Sequence, residues 1–511
     1  MVSTVNTLTF KGLDIIDVQV QVHMANGLPA FNIVGLPDKT IGESRERVRS
    51  ALNSLALSLP PKRITINLAP ADLMKEGSHF DAAIACCILA SLNIIPQLVL
   101  QEYLILGELS LDGRLLPVSG VLPAAVGANE RNMGVICPAA NGSEAAWSGN
   151  NLIVAAPDLL AIINHFKGTQ LLALPTPNHN KTTTIKHLDL KDVVGQKLAK
   201  RALEIAAAGR HHLLMSGPPG SGKSMIASRL PGILPEMLPT EILETSMITS
   251  VAGELSNGQL NTARPFRAPH HSCSMVSMVG GGHSKRITPG EISLSHNGVL
   301  FLDEFPEFSR SVIDSLRQPI EVGKILISRA NSHVTYPARF QLIAAMNPCK
   351  CGYLSDPSRA CSKAPRCSQD YQTKISGPIF DRIDLFVNVP IIPSVEIQDA
   401  RNIKEESSKI VAERVSNARK IQMERFDGFG ILTNSDLDGE LLYEIASPNS
   451  EGLELLKKAA EKFRLSVRGY NRVLRVARTI ADLAEEKNVS KSHIAEALSY
   501  RQIYVTQLVH N

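Results

Sequence analysis

No apolar run in this chain is long enough to cross a bilayer. The longest, residues 82–95, is broken by Ser91 and Asn93 and falls short of the ~20 residues a spanning helix needs, so it reads as a buried helix and no membrane partner is expected. The first residues, Met1-Val2-Ser3-Thr4-Val5-Asn6, lack a basic segment followed by an apolar core, so no secretory leader is expected. Charge of one sign is scarce as well. A formal net charge of +4 over 511 residues gives no strong overall field, and leaves any polyanion binding to local basic loops. The eight cysteines do not suggest bridges: two of them, Cys86 and Cys87, are adjacent, which suits reduced buried thiols. The expectation is a soluble cytoplasmic protein of about two to four domains, each able to bury its own core.

What is present starts with Gly217-Pro218-Pro219-Gly220-Ser221-Gly222-Lys223-Ser224, which spells G-x-x-x-x-G-K-[ST]. A short apolar segment, Leu213-Leu214-Met215-Ser216, precedes it and suits a buried strand, while residues 225–230 can continue as a helix. That strand–loop–helix context is what a phosphate loop requires. The loop turns successive backbone N–H groups onto an anion, and the helix N-terminus adds positive potential there. Lys223 is then expected to reach the β- and γ-phosphates and Ser224 to ligate Mg²⁺. Downstream, Val299-Leu300-Phe301-Leu302 is a buried strand ending in two carboxylates. Asp303 is expected to hold Mg²⁺ through water, and Glu304 to polarise the attacking water as general base. A further strand, residues 340–346, ends near Asn347, placed to orient that water or read the γ-phosphate. Arg382, in the run Gly377-Pro378-Ile379-Phe380-Asp381-Arg382-Ile383-Asp384, fits a finger reaching the nucleotide of a neighbouring subunit. A local ion pair to Asp381 or Asp384 is the other reading. ATP and Mg²⁺ are the expected cofactors.

Residues 1–168 alternate strand-like and helix-like segments and form an α/β or α+β domain of their own. Residues 31–35 and 63–68 look like strands, Asp38 is a plausible N-cap, residues 81–92 read as a helix, and Asp112-Gly113 marks a hairpin turn. The stretches Lys75-Glu76-Gly77-Ser78-His79-Phe80-Asp81 and Gly107-Glu108-Leu109-Ser110-Leu111-Asp112-Gly113-Arg114 resemble the domain shared by Lon-type proteases and RadA-type recombination ATPases. That resemblance implies the ribosomal-protein-S5-domain-2-like (Lon-like) fold. A Lon-type protease needs a serine activated by a lysine. Here the serine position falls on His79 and the lysine position near Leu122, so the domain is read as non-proteolytic. Residues 169–187, rich in proline, asparagine and threonine, are a linker by composition.

Three further runs make the resemblance specific: Arg264-Pro265-Phe266-Arg267-Ala268-Pro269-His270-His271, then Val279-Gly280-Gly281-Gly282, then Pro289-Gly290-Glu291-Ile292-Ser293-Leu294-Ser295-His296-Asn297-Gly298. These resemble the magnesium-chelatase-related AAA+ ATPases, and the Lon-like N-terminal domain points within that group to the ComM/YifB family. The resemblance implies an α/β fold with a Lon-like domain, an AAA+ P-loop α/β core over residues 188–392 and a C-terminal α-helical lid over 393–511. It also implies a hexameric ring that drives DNA branch migration in homologous recombination during natural transformation. In the lid, residues 395–426 and 463–485 read as helices. The segment from Leu465 to Tyr470 matches the family's second sensor, which assigns Arg468 to the γ-phosphate on its own subunit, with Arg475 as the alternative.

Two insertions bear on DNA. The first ends in Gly282-His283-Ser284-Lys285-Arg286, a basic tip; the second, residues 321–335, is two strand-like runs around a polar tip. Related replicative MCM helicases carry a basic pore hairpin where the second one falls, and Arg329 matches its basic position. In a ring, Lys285, Arg286 and Arg329 would track phosphates of single-stranded or branched DNA without reading sequence. Simple solvated loops are the bland reading. Cys349, Cys351, Cys361 and Cys367 lie in one short loop, which suggests a structural Zn²⁺ or else a metal-free cysteine loop. A DNA motor accounts for all these features together. A metal-insertion ATPase or remodelling chaperone shares the core motifs but leaves the N-terminal domain without a role, and a protease lacks its dyad.

Overall fold

The computed structural model describes residues 2–178, 187–255, 257–281, 287–329, 332–354, 359, 361–363, 366–392 and 405–509, with the side chains of 329, 332 and 502–509 excepted. Two strands missing from the sequence reading begin the chain. β1 (Val2–Lys11) and β2 (Asp14–Ala25) form a long antiparallel hairpin, with Val5 opposite Val20 and Thr7 opposite Val18. Val18, Val20 and Val22 are buried while the residues between them face outward, the period-two pattern of a strand covered on one face. β3 (Ala30–Val34) runs parallel to β4 (Arg63–Ala69), and α1 (Lys39–Ser54) crosses between them. Asp38 caps α1, its carboxylate accepting the Ile41 N–H at 2.8 Å. α2 (Asp81–Ser91) is apolar on every face from Ala82 to Ala90 and buried over that length, the expected fate of such a helix. β5 (Tyr103–Ile105), β6 (Gly134–Pro138) and β7 (Ile153–Ala156) complete a seven-stranded sheet of order β3-β4-β2-β1-β5-β6-β7, with α3 (Val121–Glu130) leading into β6. The Asp112-Gly113 turn lies between short antiparallel strands, Leu109 opposite Leu115.

The second sheet is all parallel. β8 (Leu213–Ser216), β9 (Phe266–Arg267), β10 (Val299–Leu302), β13 (Gln341–Met346) and β14 (Leu385–Asn388) take the order β9-β10-β13-β8-β14. Between β10 and β13 rises an antiparallel hairpin of β11 (Lys324–Arg329) and β12 (Ser332–Pro337). Parity along each parallel strand separates two cores. Leu213, Met215, Ile343, Ala345, Leu385 and Val387 face α4 (Lys197–Gly209) and the C-terminal helices. Leu214, Leu300, Leu302, Leu342 and Ala344 face the other way, toward Ile325, Ile327, Val334 and Tyr336 of the hairpin. The fold is thus mixed α/β with a parallel P-loop-type sheet and a helical C-terminal region, as the sequence reading held.

The C-terminal helices are α8 (Ser408–Arg425), α10 (Ser450–Lys462), α11 (Val467–Leu483) and α12 (Lys491–Val509), with α9 (Gly439–Ala446) between the first two; α5 (Lys223–Ala227), α6 (Pro239–Ala252) and α7 (Arg317–Val322) belong to the parallel sheet's surroundings. α8 begins at Ser408, later than expected, and residues 393–404 lie outside the described part. The Asp189 carboxylate accepts the Ser408 N–H at 2.7 Å and fixes the start from another element, which helical periodicity alone does not reveal. Ser466 caps α11, its hydroxyl accepting the Gly469 N–H at 3.1 Å. Among the described residues no helix is long and apolar enough to cross a membrane. Cys86, Cys87 and Cys137 are buried free thiols, each pushed up to about 12 by burial.

Candidate nucleotide site

The parallel register brings the carboxyl ends of three strands together. Met215 pairs with Ala345 and Leu302 with Ala344, so β8, β13 and β10 end side by side, and the loops leaving them meet in one crevice. The phosphate loop leaves β8 at Gly217. A Cβ there would lie 2.2 Å from the Val389 carbonyl oxygen, so only glycine lets the chain turn at this point. Gly220 and Gly222 have φ of +76° and +92°, and Pro218, Pro219 and Ser221 complete the turn before Lys223 opens α5. The Lys223 ammonium donates to the Gly217 and Pro218 carbonyls at 2.7 and 2.9 Å and to Asn347 Oδ1 at 3.3 Å. Burial lowers its pKa, against the opposing pull of Asp303 and Glu304. The Ser224 hydroxyl donates to Asp303 Oδ2 at 2.5 Å, and the Glu304 N–H donates to Asp303 Oδ1 at 2.9 Å. Lys223, Ser224, Asp303, Glu304 and Asn347 therefore share one site.

Two functional-looking neighbours escaped the sequence reading. Glu304 sits at φ +50°, a left-handed backbone uncommon for this residue type, and its Oε2 lies 3.2 Å from His271 Nδ1. His271 belongs to the Pro269-His270-His271 run, which served only as a family mark in the sequence. Glu321, on α7, is the second. Its carboxylate pairs with the Arg382 guanidinium, which also donates to the Pro378 carbonyl at 2.5 Å and is largely buried. The Arg468 guanidinium, exposed, lies 3.9 Å from the same carboxylate. So the ion pair considered for Arg382 goes to neither Asp381 nor Asp384. Arg468 stands with Arg382, whereas the contacts of Lys223 run to the loop carbonyls and Asn347. Arg475 is engaged inside the helical region, with the Leu437 carbonyl at 2.5 Å and Asp438 at 3.2 Å.

The cysteine loop packs beside the phosphate loop. Gly352 faces Pro219 closely enough that a Cβ would lie 2.5 Å from the ring. The sulfurs of Cys349, Cys351 and Cys367 lie within 4.8 Å of one another, and those of Cys349 and Cys351 are 3.1 Å apart. The Cys351 thiol is lowered to about 6 by the Tyr353 backbone N–H and by the Cys349 and Cys361 groups beside it. Cys361 also raises Cys367, to about 12, through a thiol hydrogen bond. Sulfurs at this spacing, with a fourth thiol alongside, are the donor set a tetrahedral Zn²⁺ takes at Zn–S distances of about 2.3 Å. Lys285 and Arg286 fall outside the described residues; Arg329 ends β11 opposite Ser332, its side chain outside the description.

Comparison with known proteins now decides the family. The description "Magnesium chelatase, subunit ChlI" matches residues 189–397, "Subunit ChlI of Mg-chelatase" residues 20–141, and "Magnesium chelatase, subunit ChlI C-terminal" residues 405–501. Competence protein ComM of Haemophilus influenzae is 45% identical over 95% of this chain and 94% of its own. The chain belongs to the ComM/YifB family. The Escherichia coli protein YifB is 41% identical over 98% of this chain and 97% of its own. Likeness to the magnesium-chelatase 38 kDa subunit of Rhodobacter capsulatus is narrower, 26% identity over 35% of this chain and 56% of that one. ATP and Mg²⁺ are the cofactors this magnesium-chelatase-like AAA+ family implies, and the residues fit them. Lys223 and the loop N–H groups suit the phosphates, and the Ser224–Asp303 oxygen pair suits Mg²⁺.

Proposed function

We propose that this ComM/YifB-family chain is an ATP-driven DNA motor, a hexameric ring acting in branch migration of recombining strands during natural transformation. The observation that carries this reading is the full-length likeness to Competence protein ComM, joined to a phosphate-loop site in which Lys223 reaches Asn347 and Ser224 reaches Asp303. Glu304 accepts a proton from the attacking water, Asn347 orients that water, and Lys223 neutralises charge on the phosphates. Arg382 and Arg468 both contact Glu321, whereas Lys223 contacts the loop carbonyls and Asn347, so both arginines are assigned to the nucleotide held by the next subunit once Glu321 releases them. Arg329, Lys285 and Arg286 contact DNA phosphates without sequence preference. The four cysteines hold a structural Zn²⁺ that fixes the loop flanking Pro219. The domain division is 1–168, 188–392 and 393–511, with the first non-proteolytic. His79 is buried with its Nε2 3.0 Å from the Leu8 carbonyl oxygen, and Leu122 is buried in α3.

ATP turnover measured with and without branched DNA tests the proposal. Stimulation by DNA and strand displacement support it, and Arg329→Ala is expected to keep basal turnover while cutting displacement. Turnover indifferent to DNA, with no displacement, points to the metal-insertion or remodelling alternative.

A further inference from the structure

Among the described residues, the N-terminal domain touches the rest of the chain in two places. The β1–β2 turn, Gly12-Leu13, reaches across to the β11–β12 hairpin. Gly12 has φ +74°, and a Cβ on it would lie 2.8 Å from the Thr335 carbonyl oxygen and 3.1 Å from Val334 Cγ1. Leu13 packs against the core cluster that contains Ile325, Ile327, Val334 and Tyr336. The first insertion grips the same hairpin from another side. The Tyr336 hydroxyl donates to the Ile287 carbonyl at 2.8 Å, and a Cβ on Gly280 would lie 2.8 Å from Ile327 Cδ1.

A second contact area pins the N-terminal domain to the body of the motor. The Gly120 N–H donates to the Ser250 carbonyl at 3.0 Å, where α3 meets the end of α6. The Ser250 hydroxyl donates to the buried Glu144 carboxylate, which also accepts the Leu122 N–H at 3.0 Å and the Asn141 amide at 2.9 Å. Trp147 Nε1 donates to the Gly258 carbonyl at 2.9 Å. A carboxylate buried with all these donors is costly to disturb, so this anchor is rigid. The hairpin needs such support, because two strands alone are marginal in water and hold their shape only against an apolar face.

We infer that the N-terminal domain is a fixed buttress: anchored on α6, it holds the β11–β12 hairpin in position through Gly12 and Leu13. Gly12 and Leu13 are positioning residues. The inference rests on the DNA-motor reading for its consequence, force on DNA, but not for the contact itself.

Two readouts on full-length Leu13→Asp and the gentler Leu13→Ala keep these parts separate. Hydrogen exchange is expected to quicken about tenfold in peptides covering β11 and β12 of Leu13→Asp, less in Leu13→Ala, with β8, β13 and α2 unchanged. Unchanged exchange in the hairpin overturns the inference. Strand displacement is expected to fall several-fold, with basal ATP turnover within about twofold of the parent, since the apolar cluster Leu13 packs against contains none of Lys223, Ser224, Asp303, Glu304 and Asn347. Faster hairpin exchange with displacement intact overturns the functional half. If the parent protein displaces no strand, the motor reading falls and the exchange result alone judges the contact.

Discussion

Glu304 is the proposed general base, and its surroundings are unusual for one. The residue is held in a left-handed backbone beside His271, while Asp303 is tied to Ser224. Removing its basicity but keeping its shape should leave binding intact. Glu304→Gln is expected to bind ATP like the parent and to turn it over about 100-fold more slowly or worse, read by nucleotide binding and phosphate release. Parental turnover in that variant would reassign the base. Lys223→Ala is expected to lose nucleotide binding itself. The cysteine loop makes a separate residue-level prediction: purified protein should carry about one zinc per chain, and Cys351→Ser should lose it, measured by metal analysis. Much of this site was legible because its parts are contiguous in sequence. The phosphate loop is eight adjacent residues, and Asp303-Glu304 ends its own strand. Glu321 was not legible as the partner of Arg382, because the pair forms only when α7 and the segment after Pro378 fold together.

At the scale of elements, the helical region is fastened to the parallel sheet through Asp384, at the entry to β14. Its carboxylate pairs with Arg472 of α11, accepts the His212 N–H at 2.9 Å, and lies 3.6 Å from His211. Burial alone would raise this carboxyl, but Arg472 and the two histidines outweigh it and hold it well below the usual range. A depressed folded value means that the unfolded chain binds the proton more readily. The stabilisation is therefore fully present above the ordinary aspartate value of about 3.9 and is lost only as pH falls through the lower folded one. Asp384→Asn, which leaves Arg472 buried and uncompensated, is expected to cost about 3–5 kcal/mol at neutral pH. The gap between parent and variant in thermal unfolding should narrow below about pH 4; a constant gap would contradict this pairing. Elements were legible where local pattern decided them, as with the cap at Asp38 and the apolar α2. β1 and β2 were missed although Val18, Val20 and Val22 alternate, since their pairing is set by a turn at Gly12 that lacks a strong turn signature. The start of α8 depends on Asp189, far away in sequence.

For the whole molecule, the proposed function gives each chain two half-sites. Lys223, Ser224, Asp303, Glu304 and Asn347 make one, while Arg382 and Arg468, gathered at Glu321, serve a neighbour. The sequence assigns Arg468 to the γ-phosphate of its own subunit; the proposed function assigns it instead, with Arg382 at Glu321, to the neighbour's nucleotide. Arg382→Ala is expected to lower turnover by about 10³-fold or more in the assembled protein. Mixing it with Glu304→Gln should restore activity, because roughly a quarter of randomly mixed interfaces then join an intact base to an intact finger. No recovery on mixing would place Arg382 in its own subunit's site. The N-terminal domain enters at this scale as the support of the hairpin, which neither its fold resemblance nor its sequence disclosed.

On the proposed function, ATP turnover at Glu304 moves DNA. The most direct measurement is displacement of a labelled strand from a branched DNA by purified protein, with ATP, compared between the parent and Glu304→Gln. Displacement by the parent is expected to require ATP and to vanish in Glu304→Gln although that variant still binds nucleotide and DNA. Displacement undiminished in Glu304→Gln, or absent from a parent that hydrolyses ATP on the same DNA, would contradict it.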